Sequence, residues 1–191
     1  VRADSLTAVI IVSDESDCSI NSFEWHDLSE LSNVNANLAC GRHPEYLVPV
    51  ADIKASLEAT KIAAGGEATD LVFAALAGVP MMDECQGSGD QIPDCLDIHP
   101  GVNGEGTMAA PDEVARQTST GVEQYYFEYA CQRFEGEVAI TSAYPGTSYV
   151  QLAQSFGAKG YIYSICNSDW GPAMQNIAGV VQEHARIICL E

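Results

Sequence analysis

Asp14, Glu15 and Asp17 follow directly on an apolar run and supply three carboxylates within four residues. Hard oxygen ligands at this spacing suit Mg²⁺ or Ca²⁺ rather than a soft metal. The same residues also serve plainer ends, because Asp14 can cap a turn and Asp17 can stay solvated. Carboxylates with separated pKa values run hydrolysis, but no second catalytic group stands beside these. No catalytic residue is therefore assigned, and a carboxylate-dependent hydrolase stays an alternative only. A second acidic group, Asp83 and Glu84 with Asp90, Asp94 and Asp97, has the Gly, Ser and carboxylates of a calcium loop without the ordered spacing of an EF-hand. It reads as a solvated loop closed by Cys85 and Cys95.

Other chemistries lack their motifs. His26, His43, His99 and His184 are scattered, which argues against zinc. No Gly-x-Ser-x-Gly turn occurs, and Gly87-Ser88-Gly89 follows no strand. The glycine-rich stretch Gly101–Gly106 sits in a long loop rather than between a strand and a helix, so it is not a phosphate cradle. Tyr125, Tyr126, Tyr129, Tyr161 and Tyr163 could form a carbohydrate surface, although aromatics at helical or strand positions more often pack in the core.

The chain has 191 residues, enough for one good core, with 8 Lys and Arg against 27 Asp and Glu. A formal charge of −19 repels nucleic acid and anionic membrane surfaces and favours cations or basic partners. Seven cysteines (Cys18, Cys40, Cys85, Cys95, Cys131, Cys166 and Cys189) form no zinc-finger spacing and fit disulfides in an oxidising compartment: extracellular, cell-surface or periplasmic. An odd count leaves one sulfur free or paired outside the chain. Short loop closure favours Cys85 with Cys95 and Cys18 with Cys40. No apolar run is long enough to span a membrane, and the signal of an exported protein would lie before Val1.

Three β-branched, nearly uncharged runs predict strands covered on both faces: Leu6–Val12, Leu71–Gly78 and Gly160–Cys166. A helix is expected after Pro49 from the spacing of Val50, Ile53 and Leu57, ended by Gly65-Gly66. Residues 81–111 read as a long loop insertion. Asp112–Phe134 carries a helical signal, with Tyr125, Tyr129 and Phe134 roughly on one side and a break near Thr118–Gly121. Ser148–Phe156 predicts another helix. The last helix places Met174, Ile177, Ala178, Val181, Ala185 and Ile188 on one face, which is expected to pack on a sheet. Alternating strands and helices predict an α/β fold with a doubly wound, mostly parallel sheet. Three strands leave an exposed edge, so the sheet is expected to be completed by sequence or by a chain not included here.

The run Leu6–Ser19, ending Ser13-Asp14-Glu15-Ser16-Asp17-Cys18-Ser19, resembles the fourth strand of von Willebrand factor A domains, in an exported bacterial branch whose strand ends Thr/Ser-Asp-Glu-x-Asp-Cys-Ser. Phe73–Pro80 resembles the next strand, Ala143-Tyr144-Pro145 through Leu152 a helix start, and Ser164–Asp169 with the helix to Leu190 the last strand and helix. The position of the arginine in that helix start holds Ser148 or Tyr149. The resemblance implies a Rossmann-like domain, here its C-terminal half spanning 1–191, which acts on the bacterial surface as a cell-adhesion or protein-interaction module. Its cation site needs an Asp-x-Ser-x-Ser loop and a Thr as well as an Asp ending the fourth strand, and only Asp14 has a match, with Asp17 a weaker candidate ligand. The expected binding edge is Ser13, Asp14, Glu15, Gly78, Asn167 and Asp169. A protein or matrix ligand is the implied partner, with Mg²⁺ or Ca²⁺ at a degenerate site. The alternative is a structural subunit in a homo- or hetero-assembly, its sheet completed by another chain.

Overall fold

The computed structural model describes residues 3, 5–22, 25, 40, 43–97, 114–117, 123–126 and 129–188, and only the backbone at 114–117, 123–126 and 184–188. In chain order the elements are β1 (Thr7–Val12), α1 (Val50–Ala63), β2 (Leu71–Ala77), β3 (Gly87–Ser88), β4 (Val114–Gln117) and β5 (Glu123–Tyr126). They continue with β6 (Cys131–Glu135), β7 (Val138–Ala143), α2 (Thr147–Phe156), β8 (Gly160–Ser164) and α3 (Gly171–Ile188). The main sheet has four strands in the order β1-β2-β8-β3, parallel except for the short antiparallel β3.

The three apolar runs thus become adjacent parallel strands of a mixed α/β fold. All seven residues of β2 are buried, because helices cover both of its faces. On one face Phe73, Ala75 and Ala77 meet α1 and α2 through Val50, Ile53, Val150 and Leu152. The buried side chains of Phe73, Val150 and Leu152 each stabilise the fold by about 1.5–3 kcal/mol. Phe73 stacks on Phe156 with ring centroids 5.8 Å apart, and Lys54 of α1 reaches across to donate to Ser155 O at 2.6 Å. On the other face Ala74 and Tyr163 meet Ala173 and Ile177 of α3. The start of β8 lies hard against α2: a Cβ at Gly160 would sit 1.9 Å from Ala153 O, so only glycine permits this approach.

Several expectations need correction. The helical signal over Asp112–Phe134 gives strands instead: β4 and β5 form one antiparallel pair, and β6 pairs with β7. Tyrosines spaced three to four apart fit a helix, yet the same aromatic, β-branched composition pairs equally well across strands. The predicted inward face of the last helix is rotated: Ala173, Ile177 and Val181 point at the sheet, whereas Ala178 is exposed and Met174 is 38% exposed. The side chains of Ala185 and Ile188 lie outside the described residues. The described part of the 81–111 loop is a packed segment, with Cys85, Ile92 and Cys95 in the core and three 3-10 turns.

Cys18–Cys40, Cys85–Cys95 and Cys131–Cys166 are disulfide-bonded. The first two match the pairs expected from loop closure, and the third ties the β6–β7 ribbon to the end of β8. Cys189 lies outside the described residues. Among the described residues no helix is long and apolar enough to cross a membrane.

Candidate functional site

Parallel pairing places the carboxyl ends of β1, β2 and β8 side by side, where backbone groups point out of the sheet. The loop after β1 leaves the ladder at Ser13, whose N–H still donates to Leu76 O at 3.0 Å. Ser13 Oγ then donates to Glu15 O at 3.0 Å and accepts from Glu15 N at 3.2 Å, which closes a tight turn. Asp14 and Glu15 are turned to solvent. Asp17 Oδ1 accepts from Ser19 N at 3.1 Å and Ser19 Oγ at 2.7 Å, so this oxygen is engaged within its own loop.

The segment between β7 and α2 locks the strand ends together. Tyr144 N donates to Asp14 O at 2.9 Å, Ser16 Oγ to Pro145 O at 2.9 Å, and Gly146 N to Gly78 O at 2.8 Å. Gly78 is required there, because a Cβ would lie 1.8 Å from Tyr144 O. Tyr149, on the first turn of α2, lies under the loop: burial pushes its phenol up, a hydrogen bond with Ser13 opposes this, and Asp17 adds to it.

At the end of β8, Gln86 does the holding. Its Oε1 accepts from Ser164 N at 3.1 Å and from Asn167 Nδ2 at 2.6 Å. Asp169 is exposed, and its Oδ1 caps the start of α3 by accepting from Gly171 N at 2.8 Å. Ser13, Asp14, Glu15 and Gly78 therefore gather around Tyr144–Gly146, while Asn167 and Asp169 belong to a neighbouring cluster organised by Gln86. Sequence reasoning missed Gln86 and the Tyr144–Gly146 bridge. Pro145-Gly146 carried a turn signal; nothing local marked Gln86.

A cation site needs several oxygen ligands converging on one point. Among the described residues no group of three His, Cys, Asp or Glu side chains could hold a metal, and Asp17 Oδ1 is engaged by Ser19. The residues present do not complete the site implied by Asp14. The exposed Asp83, Glu84, Asp90, Asp94 and Asp97 follow the loop that Cys85–Cys95 closes, as expected of a solvated segment.

What fold and site together define is an α/β chain with a mostly parallel four-stranded sheet and an acidic, cross-braced loop edge. Comparison with family models, curated proteins and solved structures finds no match.

Proposed function

We propose that this chain is an exported protein-interaction module of von Willebrand A type, binding a protein or matrix ligand at the bacterial surface through the loops after β1, β2 and β8. One observation carries this reading: the Tyr144–Gly146 segment fixes the backbones of Asp14 and Gly78 while leaving the Asp14 and Glu15 side chains in solvent. Pre-organised loops lose less entropy on binding. The side-by-side order β1-β2-β8 also agrees with the sequence order of the resembling segments. Three disulfides suit an oxidising, extracellular setting. Asp14 contributes at most one ligand to a degenerate cation site.

Biolayer interferometry of the whole chain against purified collagen, fibronectin, laminin and fibrinogen tests the reading. Saturable binding that Asp14→Ala and Glu15→Ala weaken at least tenfold is expected, with Ala158→Glu, before β8 at the opposite end of the sheet, neutral. Absence of binding across the panel, or equal loss in the control, would sink it.

A second reading, a subunit whose sheet another chain completes, is favoured by β1. Among the described residues this strand has β2 as its one neighbour, and Ile10 and Val12 are 49% and 57% exposed. Native mass spectrometry of the secreted material separates the two: a stable lone monomer counts against assembly.

A further inference from the structure

The face of β8 that packs against α3 opens toward the Asp83–Gln91 loop as a groove of about 770 Å³, within the size range of small-molecule sites. It shares Asn167 and Asp169 with the loop after β8, and no residue of the Asp14 loop lines it. We propose that this groove binds a short uncharged oligosaccharide.

The lining decides the ligand class. Among the described residues no Lys, Arg or His lines the groove, while Asp83, Asp169 and Glu183 do, a balance that disfavours an anionic ligand. One wall carries Gln175 and Asn176 from α3, and the other carries Gln86 and Gln91. Gln175 presents a donor and an acceptor side by side, which matches adjacent sugar hydroxyls; Gln86, whose Oε1 already accepts from Ser164 N and Asn167 Nδ2, adds its Nε2 as a donor, and the carboxylates accept from sugar hydroxyls. The floor is Tyr161 and Tyr163. Tyr161 is half-buried, so part of its ring is open to the apolar C–H face of a pyranose, and its hydroxyl supplies a polar handle. Burial pushes this phenol up, helped by Tyr163, Glu183 and Asp90, and keeps it a neutral donor at physiological pH. Tyr163 is buried, and its hydroxyl accepts from Asn176 Nδ2 at 3.0 Å, which fixes the wall to the floor before any ligand arrives.

Gly179 gives an independent indication. It lies inside α3, where glycine costs about 1 kcal/mol relative to alanine. Packing does not demand it, because a Cβ there would meet nothing within 4 Å. The missing side chain instead leaves the groove open along the helix.

The test uses the intact chain, with cellotriose, maltotriose, mannotriose and chitotriose as probes in saturation-transfer NMR and calorimetry, and the tripeptide Lys-Arg-Lys as the basic competitor. At least one trisaccharide is expected to bind with millimolar affinity or better. Gly179→Leu, which fills the groove from a helix position that tolerates leucine, should weaken binding at least tenfold without lowering Tm. Tyr161→Ala and Gln175→Ala provide the same readout should the leucine variant misfold. The proposal fails where no trisaccharide binds, where the folded variants bind as well as the parent, or where Lys-Arg-Lys binds the groove and the sugars do not. Loss of collagen or fibronectin binding in the Asp14 variant, with sugar binding intact, would show that the two surfaces act separately.

Discussion

Lys61 Nζ lies 3.6 Å from Asp70 Oδ2 with the lysine wholly removed from solvent, an ion pair between the last turn of α1 and the residue before β2. The ammonium also donates to Ala3 O at 3.2 Å and to Ser5 O, so it ties the segment entering β1 to the start of its neighbour. Asp70 in turn accepts from Glu67 N at 3.0 Å, closing the capping box of the 3-10 turn that feeds β2. One buried cation thus sets where two parallel strands begin.

Removing the carboxylate takes a charged partner from an ammonium that is wholly buried, whereas removing the ammonium leaves an aspartate that water can still reach. Asp70→Asn is therefore expected to cost about 3–5 kcal/mol and Lys61→Met only about 1–3 kcal/mol. Urea unfolding of both variants checks the order, and a larger loss for Lys61→Met would show that the backbone contacts of the lysine, not the pair, matter most.

This pair also marks where the sequence stops being readable. Leu71–Ala77 and Gly160–Ser164 announce themselves because strands covered on both faces need continuous apolar residues. Thr7–Val12 is equally apolar, but the expectation that it is covered on both faces fails, because Ala8, Ile10 and Val12 are exposed. Lys61 does not announce itself, since a lysine in a helix ordinarily reads as solvated. The two-residue strand Gly87–Ser88 has no periodicity to detect, and its place at the sheet edge depends on pairing with Tyr161 and Ile162 far along the chain. Asp14 was found from its neighbours, but its fixed backbone depends on Tyr144, a long-range partner that spacing cannot reveal.

Gly78 should resist replacement for steric reasons. In Gly78→Ala the new methyl meets Tyr144 O, so the β7–α2 segment must move off the strand ends at a cost of about 1–3 kcal/mol. Hydrogen exchange should report it first at the Tyr144 and Gly146 amides, which donate to Asp14 O and Gly78 O. Unchanged protection at both amides would contradict the bracing role.

Opening Cys131–Cys166 frees the β6–β7 ribbon from β8 and a chain separation of 35 residues. The double serine variant is expected to lose about 2–4 kcal/mol, measured as a lower urea midpoint with a slope as steep or steeper, because the unfolded chain is no longer cross-linked. A loss below the error of that measurement would mean that the buried contacts of Ala143 already hold the ribbon in place.

Tyr149 makes stability fall at high pH. Its phenol is held above the ordinary value of 10.0, first by burial and then by Asp17, against the opposing Ser13 hydrogen bond. A group whose folded pKa is raised contributes stability that is complete below the unfolded pKa and is lost as pH rises through the folded one. The decline should therefore begin near pH 10 and be smaller in Tyr149→Phe. Thermal melts across that range, with absorbance at 295 nm following ionisation, check this; identical pH profiles for the two proteins would refute it.

Ile10 and Val12 occupy the face of β1 that α3 leaves uncovered, on the strand whose outer edge has no neighbour among the described residues. Their register partners Ala74 and Leu76 on β2 are buried, so the apolar surface runs from covered to open within one ladder step. An open edge with half-exposed branched side chains is a template for further strand pairing. Lysines at both positions point into water already accessible to these side chains, and surface changes of that kind shift stability by about 0.5 kcal/mol or less each. Ile10→Lys/Val12→Lys is accordingly expected to keep Tm within about 4 °C while abolishing concentration-dependent association in light scattering. A large fall in Tm would instead mean that these side chains support the chain's own core. Unchanged association would place the sticky surface elsewhere, with exposed Phe134, Val138 and Ile140 of the β6–β7 ribbon the next to replace.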